Sequence, residues 1–103
     1  MVKDDIAEVG IGSHGGLFVR PATRTFPLVY REAMQVGWNR ESGVLFGPAP
    51  REWDHARWFE QIVAAARAQS VDLRLTPTTL WTHVPPETRF RIEAWDQSTL
   101  ATE

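Results

Sequence analysis

Between Trp53 and Ser70 the chain repeats every three to four residues. At about 100° per residue, His55, Phe59, Ile62, Val63 and Ala66 fall on one stripe, and Arg57, Glu60, Gln61, Ala64 and Arg67 fall opposite. This spacing predicts one long helix, and the rest of the chain is organised around it. Asp54 is placed to cap it, because its carboxylate can accept from the free amides of the first turn. Trp53 precedes the cap and Trp58 lies four residues inside, the spacing of a hydrophobic staple.

On either side of this helix the period shortens to two. Asp5 to Ile11 reads as a strand with Ala7, Val9 and Ile11 on one face and Ile6 and Glu8 on the other. The turn formers Gly12 to Gly16 lead into Leu17-Phe18-Val19-Arg20, a hairpin ended by Pro21. Residues 27–35 favour a short helix with Pro27 at its first position and Gly37 as its stop; a strand through Leu28, Val29 and Tyr30 is the competing reading. Trp38-Asn39 and Val44-Leu45-Phe46 flank Arg40 to Gly43, a second hairpin whose turn ends on glycine, and Gly47-Pro48-Ala49-Pro50 forms a stiff connector into the long helix.

After the long helix, Val71, Leu73 and Leu75 alternate with Asp72 and Arg74 as a half-buried strand. Thr76-Pro77-Thr78 is expected to turn it. Thr79 to Val84 then runs back, with Leu80, Thr82 and Val84 on the core side and Trp81 and His83 outside. Residues 86–96 read as a final helix opened by Pro86 and Glu87, although Phe90, Ile92 and Ala94 also alternate as a strand does. The order β-β-α-β-β-α-β-β-α predicts an α+β fold, a mainly antiparallel sheet covered on one face by one long and one or two short helices. Residues 1–103 make a single domain, with 97–103 a frayed tail.

Composition alters this picture in one respect. Five Trp and five Phe in 103 residues exceed what one small core is expected to hide, which favours a pocket or an interface. The net charge of −2, with no basic excess in either half, disfavours nucleic acid as a partner. There is no cysteine, hence neither disulfides nor thiolate metal sites. The N-terminus is acidic where a signal peptide needs an apolar core, and no apolar run approaches membrane-spanning length, so a cytoplasmic protein with no membrane partner is expected.

With these elements placed, several residue blocks stand out: Phe26 to Ala33, Trp38-Asn39, Pro48 and Pro50, Trp58-Phe59, and Thr79 with Trp81. In these the chain resembles small bacterial proteins carried on mobile gene cassettes, an integron-cassette-like family. The resemblance implies a compact binding protein and assigns no site, cofactor or activity.

The candidate chemistry is sparse. His55, beside Asp54, fits a general base oriented by a carboxylate; it equally fits a first-turn histidine tucked against the sheet, and the positive end of a helix favours the second. His14, His55 and His83 lack any metal-ligand spacing, so no metal and no cofactor is expected. Ser13 has glycine at 15 but isoleucine at 11, and its hairpin context is wrong for a nucleophile elbow. The carboxylate pairs Asp4/Asp5, Glu52/Asp54 and Glu93/Asp96 read as a solvated tail, a helix start and a helix surface.

The aromatic positions carry the functional expectation. Trp81, Arg74 and His83 on the outer sheet face form a candidate contact surface for self-association or another protein. The rival is a small-molecule site or small enzyme in a tryptophan-lined pocket under the long helix, with Tyr30, His55 and Trp58 as its lining.

Overall fold

The structure, a computed structural model, describes residues 1–29 and 35–101. Its elements are β1 (Val2–Ile11), β2 (Leu17–Pro21), β3 (Gly37–Asn39), β4 (Val44–Phe46), α1 (His55–Ala68), β5 (Val71–Arg74), β6 (Leu80–Thr82) and α2 (Pro86–Ala101). The strands form one six-stranded sheet in the order β3-β4-β2-β1-β5, with β6 also on β1. The β1–β2, β2–β4 and β3–β4 pairs are antiparallel, whereas β5 and β6 run parallel to β1. This is the expected α+β class with a mostly antiparallel sheet. The helix expected over 27–35 falls largely on residues 30–34, outside the described residues; 27–29 form a turn.

Local signals read well at the helix ends. The Asp54 carboxylate accepts from the Arg57 amide at 2.9 Å, and α1 starts one residue later. Residues 86–96 are helical, and α2 continues to Ala101, through most of the stretch expected to fray. The second hairpin closes as its sequence indicates: Asn39 Oδ1 accepts from the Glu41 and Ser42 amides, and Gly43 takes the positive φ of 68° that ends the turn.

Two strand expectations are corrected. β1 begins at Val2, and its alternation breaks in the middle. Ile6 faces Pro21 and Glu8 faces Arg20, so Ala7 is an extra residue, a β-bulge. The bulge turns both Ile6 and Val9 into the core, each with 0% exposure, where strict alternation places them on opposite faces.

The second correction concerns β5 and β6, which are not a hairpin. Both run parallel to β1: Asp5 lies beside Arg74 and Glu8 beside Leu80, so β1 advances three residues while its neighbour advances six. Thr76 to Thr79 is a jog in one continuing direction. Thr79 holds it closed, accepting from the Thr76 amide at 2.9 Å and donating its hydroxyl to the Ile6 carbonyl at 2.7 Å, beside the bulge. Without a reversal, Trp81 pairs with buried Val9 and lies on the core side of the sheet, while Leu80, expected inside, is 65% exposed.

The core lies between the sheet and α1. Leu17, Val19, Leu45 and Leu73 from the strands meet Phe59, Ile62 and Ala66 from α1, and Ile92 of α2 joins them. Phe59 and Trp95 pack edge to face at 5.8 Å, fixing α2 on α1. All five tryptophans touch this core. Trp58 is 8% exposed within it, and Trp38, Trp53, Trp81 and Trp95 pack around its rim, part-buried. The tryptophans are thus accommodated as a rim of amphipathic rings around the core, whereas Phe90 of α2 is 71% exposed.

Candidate functional site

A cleft opens where the chain leaves β4 and enters α1. Gly47 donates its amide to the Leu17 carbonyl at 3.0 Å, which pins the start of the connector to β2. Its lack of a side chain lets the Trp58 indole lie against it; a Cβ there would come within 3.1 Å of Trp58 Cε3. Trp53 then tilts onto Trp58, ring centroids 4.9 Å apart at 53°, which is the staple contact expected from the spacing. The Arg57 guanidinium sits 5.0 Å from the Trp53 ring centroid.

The resulting cleft has a volume of roughly 720 Å³. Trp53, Trp58, Pro48 and Ala49 supply its apolar surface, and Gln35, Arg51, Glu52 and Gln61 its polar edge. Such a size falls within the range of about 300–1,000 Å³ typical of small-molecule pockets, as does the mixture of aromatic lining and a few polar groups. A smaller cavity of about 250 Å³ adjoins it between the helices, flanked by Asp54, Arg57, Glu60 and Arg91. There the Arg91 guanidinium pairs with Asp54. The backbone hydrogen bond from Arg57, and then Arg91, hold the Asp54 carboxyl below the usual carboxylate range.

The expected site residues scatter. Trp58 lines the cleft. His55 does not; its Nε2 lies 2.8 Å from the Gly15 carbonyl of the first hairpin. Because a carbonyl oxygen only accepts, Nε2 carries the proton and donates, and the residue ties the hairpin loop to the start of α1. Tyr30 is outside the described residues.

Of the surface set, only His83 is exposed, at a positive φ of 59°. Arg74 is 8% exposed and donates through Nε to Asp72 at 2.9 Å, while Arg67 takes the other Asp72 oxygen. The half-buried alternation expected of this strand does not hold: all four residues of β5 are buried, with Arg67 of α1 and Asp96 of α2 beside Asp72 and Arg74, so Arg74 has no outward face to offer. Trp81 lies below α2, with the Arg89 guanidinium 4.9 Å from its ring centroid. No group of three His, Cys, Asp or Glu among the described residues is placed to hold a metal ion, so His14, His55 and His83 do not converge.

One buried carboxyl stands apart. Asp96, 4% exposed, has no hydrogen-bond partner on Oδ1. Burial pushes its carboxyl up, against the pull of Arg74 and the Leu75 amide. The sequence places it on a helix surface; in the fold it lies against Asp72, Arg74 and Leu75.

Arg51, Glu52, Gln61 and Gln35 also border the cleft; the sequence reads Glu52 as part of a helix start and Gln61 as helix surface, and assigns none of the four to a site. The signal it had was Trp53 beside a proline-rich connector; the missing part was that residues 35, 48–53 and 58–61 meet in space.

The family model for Integron Cassette Protein Hfx_Cass5 matches residues 4–79. The chain belongs to this integron cassette family. A solved structure from the mobile metagenome of the North West Arm sewage outfall, also described as Integron Cassette Protein Hfx_Cass5, is 41% identical to it. The two align over 94% of this chain and 98% of that one, with a TM-score of 0.48. No curated protein matches the cassette protein. The matched stretch contains every described residue bordering the cleft and stops before β6 and α2. Among the described residues, no helix of the cassette protein is long and apolar enough to cross a membrane.

Proposed function

We propose that this cassette protein works by binding rather than catalysis, and that its working surface is the tryptophan-lined cleft at the start of α1, which takes a small molecule. The observation that carries this reading is the cleft itself. It holds roughly 720 Å³ beside two indoles, bordered by four polar side chains. Against catalysis, His55 is committed to the Gly15 carbonyl, and among the described residues only Arg51 and Glu52 bring titratable groups to the cleft. A fragment screen read by ligand-observed NMR tests the idea. Binders should be displaced or lost in Trp53→Ala, whose ring is part-buried and so removable without emptying the core. A screen with no binder competing for this cleft would overturn it.

A second reading, self-association, is favoured by a different observation. Phe18 and Phe46 are cross-strand neighbours on the sheet face turned away from the core, and Leu80 stands 65% exposed on the same face. The contact surface then centres on these residues, with His83 nearby, instead of Trp81 and Arg74. Sedimentation equilibrium should give a multiple of the 11.7 kDa chain that falls to monomer in Leu80→Glu. A wild-type monomer would remove this reading.

A further inference from the structure

We infer that the cleft recognises a small zwitterion, a molecule carrying a carboxylate and a primary ammonium group on a flat apolar body, as an aromatic α-amino acid does. This rests on the reading of the cleft as a small-molecule site. Arg51 and Glu52 are consecutive, both exposed, both on its edge, and of opposite charge.

Most charged side chains near the helices are engaged: Arg67 and Arg74 with Asp72, Arg89 with Glu93, Arg91 with Asp54, and Arg57 on the Trp53 ring. Arg51 and Glu52 form no ion pair, either with each other or with any other described residue. Their charged ends are therefore more than 4 Å apart, two separate poles rather than one neutralised pair. Arginine presents a planar fork suited to a carboxylate, and a glutamate accepts from an ammonium group.

Among the described lining residues the two poles sum to neutral, and this argues against polyanions such as nucleotides, which need a cationic pocket. Two indoles and Pro48 offer a flat apolar body a surface to stack on. Gln35 and Gln61 each add a donor and an acceptor, so either pole of the ligand finds a further partner.

The test is calorimetric titration with three probes: L-phenylalanine, 3-phenylpropanoate, which lacks the ammonium group, and phenethylamine, which lacks the carboxylate. L-phenylalanine should bind tightest, by roughly fivefold over each truncated probe, the modest factor expected of solvent-exposed charges. Arg51→Gln should erase its advantage over phenethylamine, and Glu52→Gln its advantage over 3-phenylpropanoate. Both residues are exposed, so circular dichroism should show both variants folded. Equal binding of the three probes, or tightest binding of a truncated one, overturns the zwitterion assignment and leaves the cleft intact as a site. No binding by any probe while fragments still bind the cleft overturns it equally. Absence of both overturns the site as well.

Discussion

Ser70 closes α1 in a conformation its side chain resists. Its amide donates to the Arg67 carbonyl at 2.8 Å, which requires a φ of 65°, the left-handed region where a Cβ is unfavourable. Ser70→Gly is expected to raise stability by about 0.5–1 kcal/mol, measured by urea denaturation. Asp54 works in the opposite direction. Asp54→Ala should cost about 1 kcal/mol at neutral pH by removing the cap. With its folded pKa lowered, Asp54 contributes stability that is present above 3.8 and lost as pH falls through the folded value.

Asp96 reverses the sign. Its folded pKa is raised above 3.8, so below that value the native and unfolded states bind the same proton and nothing is lost. As pH rises through the folded value, the unfolded chain releases its proton more readily and the native state is destabilised. Asp96→Asn should therefore raise the denaturation midpoint at pH 7 and leave it nearly unchanged at pH 3. A fall at both values would show that the carboxylate is needed. What the sequence made visible at this scale was what depends on near neighbours: the Asp54 cap, the Trp53–Trp58 contact and the seat of His55 against backbone. The burial of Arg74 and Asp96 was not visible, because both lie where helix and sheet close on each other.

At the scale of elements, the junction of β5 and β6 is the least legible part of the chain. Thr-Pro-Thr between two alternating runs has the composition of a reversing turn, and only the pairing with β1 shows that the direction is kept. The deciding group is a single hydroxyl. Thr79, 7% exposed, supplies both the donor to Ile6 and the acceptor for Thr76. Thr79→Val keeps the shape and removes both bonds. It is expected to cost about 2 kcal/mol, within the range for stranding buried backbone polar groups, with amide exchange in residues 80–82 accelerating more than in β2. Equal protection in both strands would show that the jog holds without it.

For the whole molecule, the class of fold was legible because helix and strand periods differ plainly along the chain. The cleft was not, since its shape depends on how the proline-rich connector folds back on the start of α1 and on Gln35, and none of its bordering residues carries a motif. Gly47 illustrates the gap. In the sequence it reads only as the first residue of a stiff connector, whereas in the fold it is a flat seat for an indole. Gly47→Val should narrow the cleft by displacing Trp58 and lower thermal stability by several degrees, read by scanning calorimetry; an unchanged midpoint would mean that the Trp58 ring has room to move.

The position of β1 has a consequence for how this protein is made. β1, made before the other strands of this sheet, is paired on both sides in the finished fold, with β2 on one edge and β5 and β6 on the other. β2 follows within a few residues, but Val71 is some seventy residues behind Val2. At about 5–20 residues per second, the second edge of β1 waits several seconds for its partner. During synthesis the nascent chain therefore carries an open strand edge, and the sheet is sealed only once β5 and β6 have followed α1 out of the ribosome.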